Sequence, residues 1–238
     1  MRILAIEASS QVAGVAILTD DVITAEYTVN HKITHSQTLM PMLDEIVKMT
    51  ETNLSSIDVI AVSGGPGSFT GLRIGSATAK GLAQALNIPI IHIPTLEGMA
   101  YNAYGFDGII CPIMDARRSQ VYTGVYRFGD DMEVLLDGCA IPIEELSEKL
   151  KGFSEKVLFI GDGIPVFKDY LTKELGDRAV YAPANMNRQR AASVASLAAK
   201  YYEQGKMVEA KEHLPEYFRN SQAEREREAK LQKEQNGN

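Results

Sequence analysis

An α/β fold made of two similarly ordered halves is what the sequence predicts, and three observations predict it. Short apolar, β-branched runs alternate with longer amphipathic stretches. The order strand, strand, strand, helix, strand, helix, strand occurs once before Tyr104 and again after Gly108. A glycine-rich run, Ser63-Gly64-Gly65-Pro66-Gly67-Ser68-Phe69-Thr70-Gly71-Leu72-Arg73-Ile74-Gly75, joins a strand to an alanine-rich helix.

In the first half, Ile3 to Ile6 is a short apolar strand, and the turn Ser9-Ser10-Gln11 sends the chain back through Gly14 to Leu18 as its hairpin mate. Val22 to Val29 supplies a third strand. A helix is predicted from about Ser36 to Met49, a strand over Asp58 to Val62, a helix from about Phe69 to Leu86, and a strand over Ile88 to Ile93. In the second half, Ile109 to Asp115 and Val121 to Phe128 form a hairpin that Glu133 to Leu136 extends. Ile143 to Leu150 is helical, Val157 to Ile160 a strand ending in Gly161-Asp162-Gly163, Phe167 to Leu175 helical, and Ala179 to Tyr181 a strand; a long helix follows over about Ala192 to Tyr202. Two such copies facing each other across a cleft are the plan of the actin, hexokinase and Hsp70 folds, with ribonuclease H-like halves. The expected divisions are 1–104, 105–220 and a charged tail at 221–238. That tail alternates Glu224, Arg225, Glu226, Arg227 and Glu228 without an apolar stripe, so it reads as a solvated helix end or as disordered.

Composition narrows the function classes. With 238 residues and 45% hydrophobic content, the chain buries a sizeable core. Its 31 acidic against 24 basic residues give a formal charge of −7, which repels polyanions, so RNA contact is expected mainly through a partner. Cys111 and Cys139 sit in apolar strand-like runs and read as buried, reduced core thiols. No charged leader with a cleavage site and no membrane-length apolar run is evident, which predicts a cytoplasmic protein.

In the glycine run, glycines let the backbone turn with positive φ and approach a neighbour closely, and Ser68 or Thr70 is placed to cap the following helix. Strand, glycine loop and helix N-terminus make a site able to receive an anion; the bland reading is a tight turn that binds nothing. The wording is more specific than the physics: the run resembles the GPGSFTGLRIG signature of the TsaB family. Four further stretches agree, namely Met1 to Ser10, His35-Ser36-Gln37 through Pro41, Met114-Asp115-Ala116-Arg117-Arg118 with Val121-Tyr122, and Leu214-Pro215-Glu216-Tyr217-Phe218-Arg219.

That resemblance implies a non-catalytic subunit that pairs with a TsaD-like catalytic subunit and a TsaE-like ATPase. Together these transfer a threonylcarbamoyl group from its adenylate to N6 of the tRNA adenosine beside the anticodon. No cofactor is expected, and tRNA is met only through the complex. The rivals are a small-molecule kinase of the same duplicated fold and a metallopeptidase-like protein.

Individual residues bear on the choice. In this fold class the first hairpin turn holds an acidic residue that orders a metal beside nucleotide phosphate; Glu7 stands there, with Ser9 and Ser10 as phosphate donors and Gly65 and Gly67 as the facing loop of a vestigial nucleotide cleft. The equivalent turn of the second half should be small, but it carries Arg117 and Arg118, whose guanidinium groups are expected to fill the phosphate space or pair with Asp115, Glu7 or a partner's carboxylates. His31 and His35 lie four apart, a zinc-compatible spacing, yet they straddle a helix start beside Thr34 and Ser36 and read as capping or surface residues. His92 reads as a hydrogen-bonded core residue. The TsaD-like paralogue carries an HMEGH-like segment whose two histidines bind its metal. Here the segment reads Thr95-Leu96-Glu97-Gly98-Met99, and a hydroxyl and a thioether do not replace two imidazoles, so no metal site is expected. No serine or cysteine nucleophile with a neighbouring histidine base is evident either.

A docking surface is also predicted. Leu39, Leu43 and Ile46 form one stripe on the first helix, widened by Met40 and Val47 on one flank and by Met42 and Met49 on the other, beyond the roughly 100° that one core contact needs. The second helix carries Gly71, Gly75, Ala79 and Ala83 as a groove of small residues. These two helices are expected to bundle with those of the partner, the same surface serving self-dimerisation of the isolated chain; the alternative is that they are sandwiched within one domain.

Overall fold

The computed structural model describes residues 1–32 and 34–219, so the tail expected at 221–238 lies outside the described residues. The first sheet is built from β1 (Arg2–Glu7), β2 (Val12–Thr19), β3 (Val22–Asn30), β4 (Val59–Gly65) and β5 (Ile90–Pro94), in the order β3-β2-β1-β4-β5. The second is built from β6 (Ile109–Asp115), β7 (Gln120–Phe128), β8 (Met132–Pro142), β9 (Val157–Ile160) and β10 (Ala179–Tyr181), in the order β10-β9-β6-β7-β8. In each, the first three strands pair antiparallel and the last two join parallel beside the first strand. The second sheet therefore repeats the first strand for strand.

Alternation along β1 explains the layers. Leu4 and Ile6 face a core shared with α1 (His35–Met49) and α2 (Phe69–Leu86), whereas Ile3 and Ala5 face the opposite side. That opposite side is covered by α6 (Ala191–Glu203), which follows the second half in sequence but crosses back onto the first sheet. Its residues Ala191, Val194, Ala195, Leu197 and Ala198 pack on Ile3, Ala16, Val59, Ala61 and Ile91. In the second half, α4 (Ile143–Lys151) and α5 (Ile164–Leu175) cover Ile109, Cys111 and Ile113, while α3 (Thr95–Ala100) covers the face carrying Ile110 and Met114.

Several expectations need correction. Strand β8 continues to Pro142 rather than stopping at Leu136, keeping its pairing with β7 through irregularities around Val125. Cys139 lies on this outer strand and is half-buried; only Cys111 is a core thiol. Helix α5 starts at Ile164, with a proline in its first turn where no amide donor is needed. The six-residue α3 is too short to show a period and is not legible as a helix.

The largest correction concerns the docking surface. Leu39 and Met42 are 1% and 3% exposed, packed against the first sheet, and Ala79 is fully buried. Gly71 and Gly75 are buried too, because a side chain at either would run into Ala8 on the sheet side. These five residues belong to the chain's own core. Of the widened stripe on α1, Met40 on one flank and Met49 on the other remain open, at 53% and 75% exposure.

Candidate functional site: the cleft between the two sheets

Strand β4 ends at Gly65 and α2 begins at Phe69, with Ser68 as the N-cap whose hydroxyl accepts from the Gly71 amide at 3.2 Å. The Ser68 amide donates to the Ser9 carbonyl at 2.7 Å, joining the glycine loop to the first hairpin turn. The glycines serve this closeness. Side chains at Gly65, Gly67 and Gly71 would collide with the carbonyl oxygens of Glu216, Ser9 and Ala8, and one at Gly64 with the His92 ring. Gly65 also has φ +131°, which side-chain-bearing residues rarely adopt. Close approach is thus made by the chain itself.

Glu7 is 1% exposed and sits behind the cleft wall. Its carboxylate accepts the Ser9 amide at 2.6 Å and the hydroxyls of Ser9 and Ser63. Burial pushes its carboxyl above the usual range, against the pull of those donors. Glu7 is therefore occupied as the anchor of the hairpin turn.

The cleft itself is a cavity of about 560 Å³ whose walls include Ser9, Ser10, Gly67, Ser68, Asp115, Arg117 and Asp162. Asp162 accepts the Asp115 amide at 3.2 Å, and burial pushes its carboxyl upward. Arg117 does not fill the space. Residues 117–119 all have left-handed backbones, φ 64°, 56° and 55°, which turn the side chains outward: that of Arg117 is 87% exposed and pairs back to Asp115 at 3.0 Å, and Arg118 is exposed. The guanidinium that closes this end belongs to Arg219, which donates to the Ala116 carbonyl at 2.8 Å.

Arg219 belongs to a strap that sequence reasoning missed, although its Leu214 to Arg219 motif was visible. Within it the Glu216 amide donates to the Gly64 carbonyl at 2.7 Å, Tyr217 packs on Phe69 with ring centroids 4.8 Å apart, and Phe218 meets Tyr122 edge-on at 6.1 Å. Tyr217, Phe218 and Arg219 all line the cleft.

Beyond the cleft, Thr95 and Met99 are each 1% exposed on α3, and the Thr95 hydroxyl oxygen has no partner among the described residues. Glu97, its carboxyl pushed upward by burial, accepts the Tyr201 hydroxyl, so this segment ties α6 to α3. His35 is buried with Nε2 2.7 Å from the Ser10 carbonyl, while His31 is exposed. Among the described residues, no group of three or more His, Cys, Asp and Glu side chains is placed to hold a metal.

The resemblances are now specific. Over residues 23–227 the chain matches the family profile TsaD: tRNA N6-adenosine threonylcarbamoyltransferase. It is 36% identical over 228 residues to the tRNA threonylcarbamoyladenosine biosynthesis protein TsaB of Bacillus subtilis, covering 94% of this chain and 96% of that one. The chain belongs to the TsaB family. The Escherichia coli TsaB is 31% identical over 236 residues, again with 94% and 96% covered. Among solved structures, a Pseudomonas aeruginosa protein described as similar to the peptidase YeaZ superposes with a TM-score of 0.79 at 26% identity, covering 92% of this chain and 99% of that one. An inorganic polyphosphate/ATP-glucomannokinase from Arthrobacter, at 11% identity and a TM-score of 0.51 over 85% of this chain and 99% of that one, shares the fold. The TsaB family thus has the two-sheet architecture of the sugar kinases, as the strand order predicts.

Proposed function

We propose that this chain is a non-catalytic subunit that acts with a TsaD-like catalytic subunit and a TsaE-like ATPase in making threonylcarbamoyladenosine at tRNA position 37. In that reaction the threonylcarbamoyl group moves from threonylcarbamoyl-AMP to N6 of the adenosine next to the anticodon. Membership of the TsaB family supports the pathway. The observation that carries the non-catalytic role is the donor set of α3: Thr95 and Met99, both buried, offer a hydroxyl and a thioether where the paralogue's metal needs imidazoles. Further support comes from Glu7, whose carboxylate is consumed by Ser9 and Ser63.

The overall charge of −7 favours meeting tRNA through the partner rather than alone. No helix among the described residues is long and apolar enough to cross a membrane, in keeping with work in the cytoplasm. Met40 and Met49, exposed on opposite flanks of α1, are the parts of the expected docking surface that stay open to a partner or to a second copy of the chain.

Reconstitution tests the reading. Modified tRNA should form only when this chain is combined with the TsaD-like and TsaE-like proteins, threonylcarbamoyl-AMP and tRNA. ATP turnover or tRNA modification that co-purifies with this chain alone would overturn it.

A further inference from the structure

Two cores joined by short covalent connections hinge relative to one another unless a contact spans them. Here α6 and α3 span them on one side, and the strap spans them at the cleft. On the first-half side, His213 is 2% exposed with its ring centroid 5.6 Å from that of His92, and its carbonyl accepts Lys80 Nζ at 3.0 Å. The Glu216 amide is bound to Gly64, and Tyr217 packs on Phe69, whose ring also carries the Arg73 guanidinium at 3.9 Å. On the second-half side, Phe218 occupies the space left by Gly138 and meets Tyr122, and Arg219 is bound to the Ala116 carbonyl. A side chain at Gly65 would strike the strap on one sheet, as one at Gly138 would on the other. Both halves are thus shaped to receive this segment.

We infer that His213–Arg219 is a clasp that fixes the opening of the cleft, and that the His92–His213 pair is the pin through which protonation releases it. The clasp is built to come off. Leu214 is 72% exposed and Tyr217 37%, Pro215, Phe218 and Arg219 are half-buried, and His213 is the one fully buried side chain of the strap. His213 Nε2 has no partner among the described residues, so a proton placed there finds no acceptor. The charged and titratable groups around the pair are Lys80 and Arg73 from α2, His92 from β5 and Glu216 from the strap, while β4 contributes the uncharged Gly64. Burial, Lys80 and a second imidazolium disfavour a proton on His213, whereas Glu216 and the Leu214 carbonyl favour one on His92, so His213 is the group whose protonation opposes the clasp. Acid therefore favours the state in which His213 has left its pocket and the strap has lifted.

The test is the distance across the cleft, read by pulsed electron resonance on the full chain in a Cys139→Ser background, with spin labels at Thr70→Cys and Glu144→Cys, both exposed positions. At pH 7.5 the clasped protein should give one narrow distribution, which broadens and shifts to longer distance in Tyr217→Ala/Arg219→Ala. Moving to pH 5 should produce the same shift in the otherwise unaltered chain but not in His213→Phe, which fills the pocket without titrating. A distribution that stays narrow in the strap variant, or acid broadening that persists in His213→Phe, overturns the proposal. Should a variant fail to fold by circular dichroism, hydrogen exchange on the unsubstituted protein decides. Relative to its intrinsic rate, the Glu216 amide must lose protection between pH 7.5 and pH 5 while the β1 amides keep theirs; equal behaviour of the two overturns the clasp.

Discussion

Glu7 at the end of β1 accepts a hydrogen bond from the Ser63 hydroxyl on the neighbouring parallel strand β4, and the same carboxylate holds the Ser9 amide at 2.6 Å. One buried acid therefore ties together the hairpin turn and the strand that leads into the glycine loop. A carboxylate so placed organises the cleft wall from behind.

Replacing it separates a structural role from a ligand-holding one. Glu7→Ala leaves the Ser9 and Ser63 donors unpaired in the core and should destabilise by about 1–3 kcal/mol for each unsatisfied group. Glu7→Gln keeps the shape and should fold, and complexes containing it should still modify tRNA. Because burial raises the Glu7 pKa, the folded state holds its proton to higher pH than the unfolded state. Its contribution is full below the ordinary glutamate value of 4.5 and is lost as pH rises through the folded value. The melting temperature of Glu7→Gln relative to the parent should accordingly rise as pH increases above about 4.5, as read by calorimetry.

Two glycines should respond oppositely to the same change. Gly65→Ala places a methyl group at φ +131° against the Glu216 carbonyl and should cost about 1–3 kcal/mol. Gly81 is exposed on α2 with nothing near its missing Cβ, so Gly81→Ala should stabilise by about 0.5–1 kcal/mol. Urea denaturation of the two variants checks the pair.

The buried imidazoles predict how stability depends on pH. Burial pushes His213 down to about 4 and His92 below the usual value of 6.5. Above about pH 6.5 neither state carries the protons; as pH falls below that value the unfolded chain takes them up first, so stability falls, for His213 until its folded site also protonates near 4. His213→Asn should therefore show a shallower loss of unfolding free energy between pH 7 and pH 4.5 than the parent. An equal slope would assign the loss to other groups.

The exposed flank of α1 gives a prediction for assembly. Met49→Asp adds a charge at a position 75% exposed and should leave the fold unchanged while weakening binding to the TsaD-like subunit by tenfold or so, that is about 1.4 kcal/mol. Met42→Asp, at 3% exposure, should instead unfold the chain. Titration calorimetry and circular dichroism distinguish these outcomes.

By itself the sequence determined the succession of strands and helices along both halves, since β-branched runs bounded by turn residues such as Val59 to Val62 and Val157 to Ile160 carry their own local signal. Ser68 as the cap of α2 and the family membership were equally legible, one from local hydrogen-bond chemistry and one from motif wording. Tertiary structure alone decided the rest. The alanine stripe of α6 says that a sheet lies close, not which one; Met42 and Met49 share one flank of α1, and only Met42 is packed into the core, whereas Met49 is the exposed last residue of the helix. Glycines at 65, 67 and 71 announce a close approach, but whether to a ligand or to the carbonyls of Glu216, Ser9 and Ala8 depends on segments distant along the chain. Arg117, expected to fill the phosphate space or to pair with Asp115, does the second at the cleft wall, its side chain turned mostly to solvent by three consecutive left-handed residues, and Arg219 reaches that end of the cleft from 103 residues beyond Ala116. Local periodicity reports which face of an element is apolar; only the long-range packing says what that face meets.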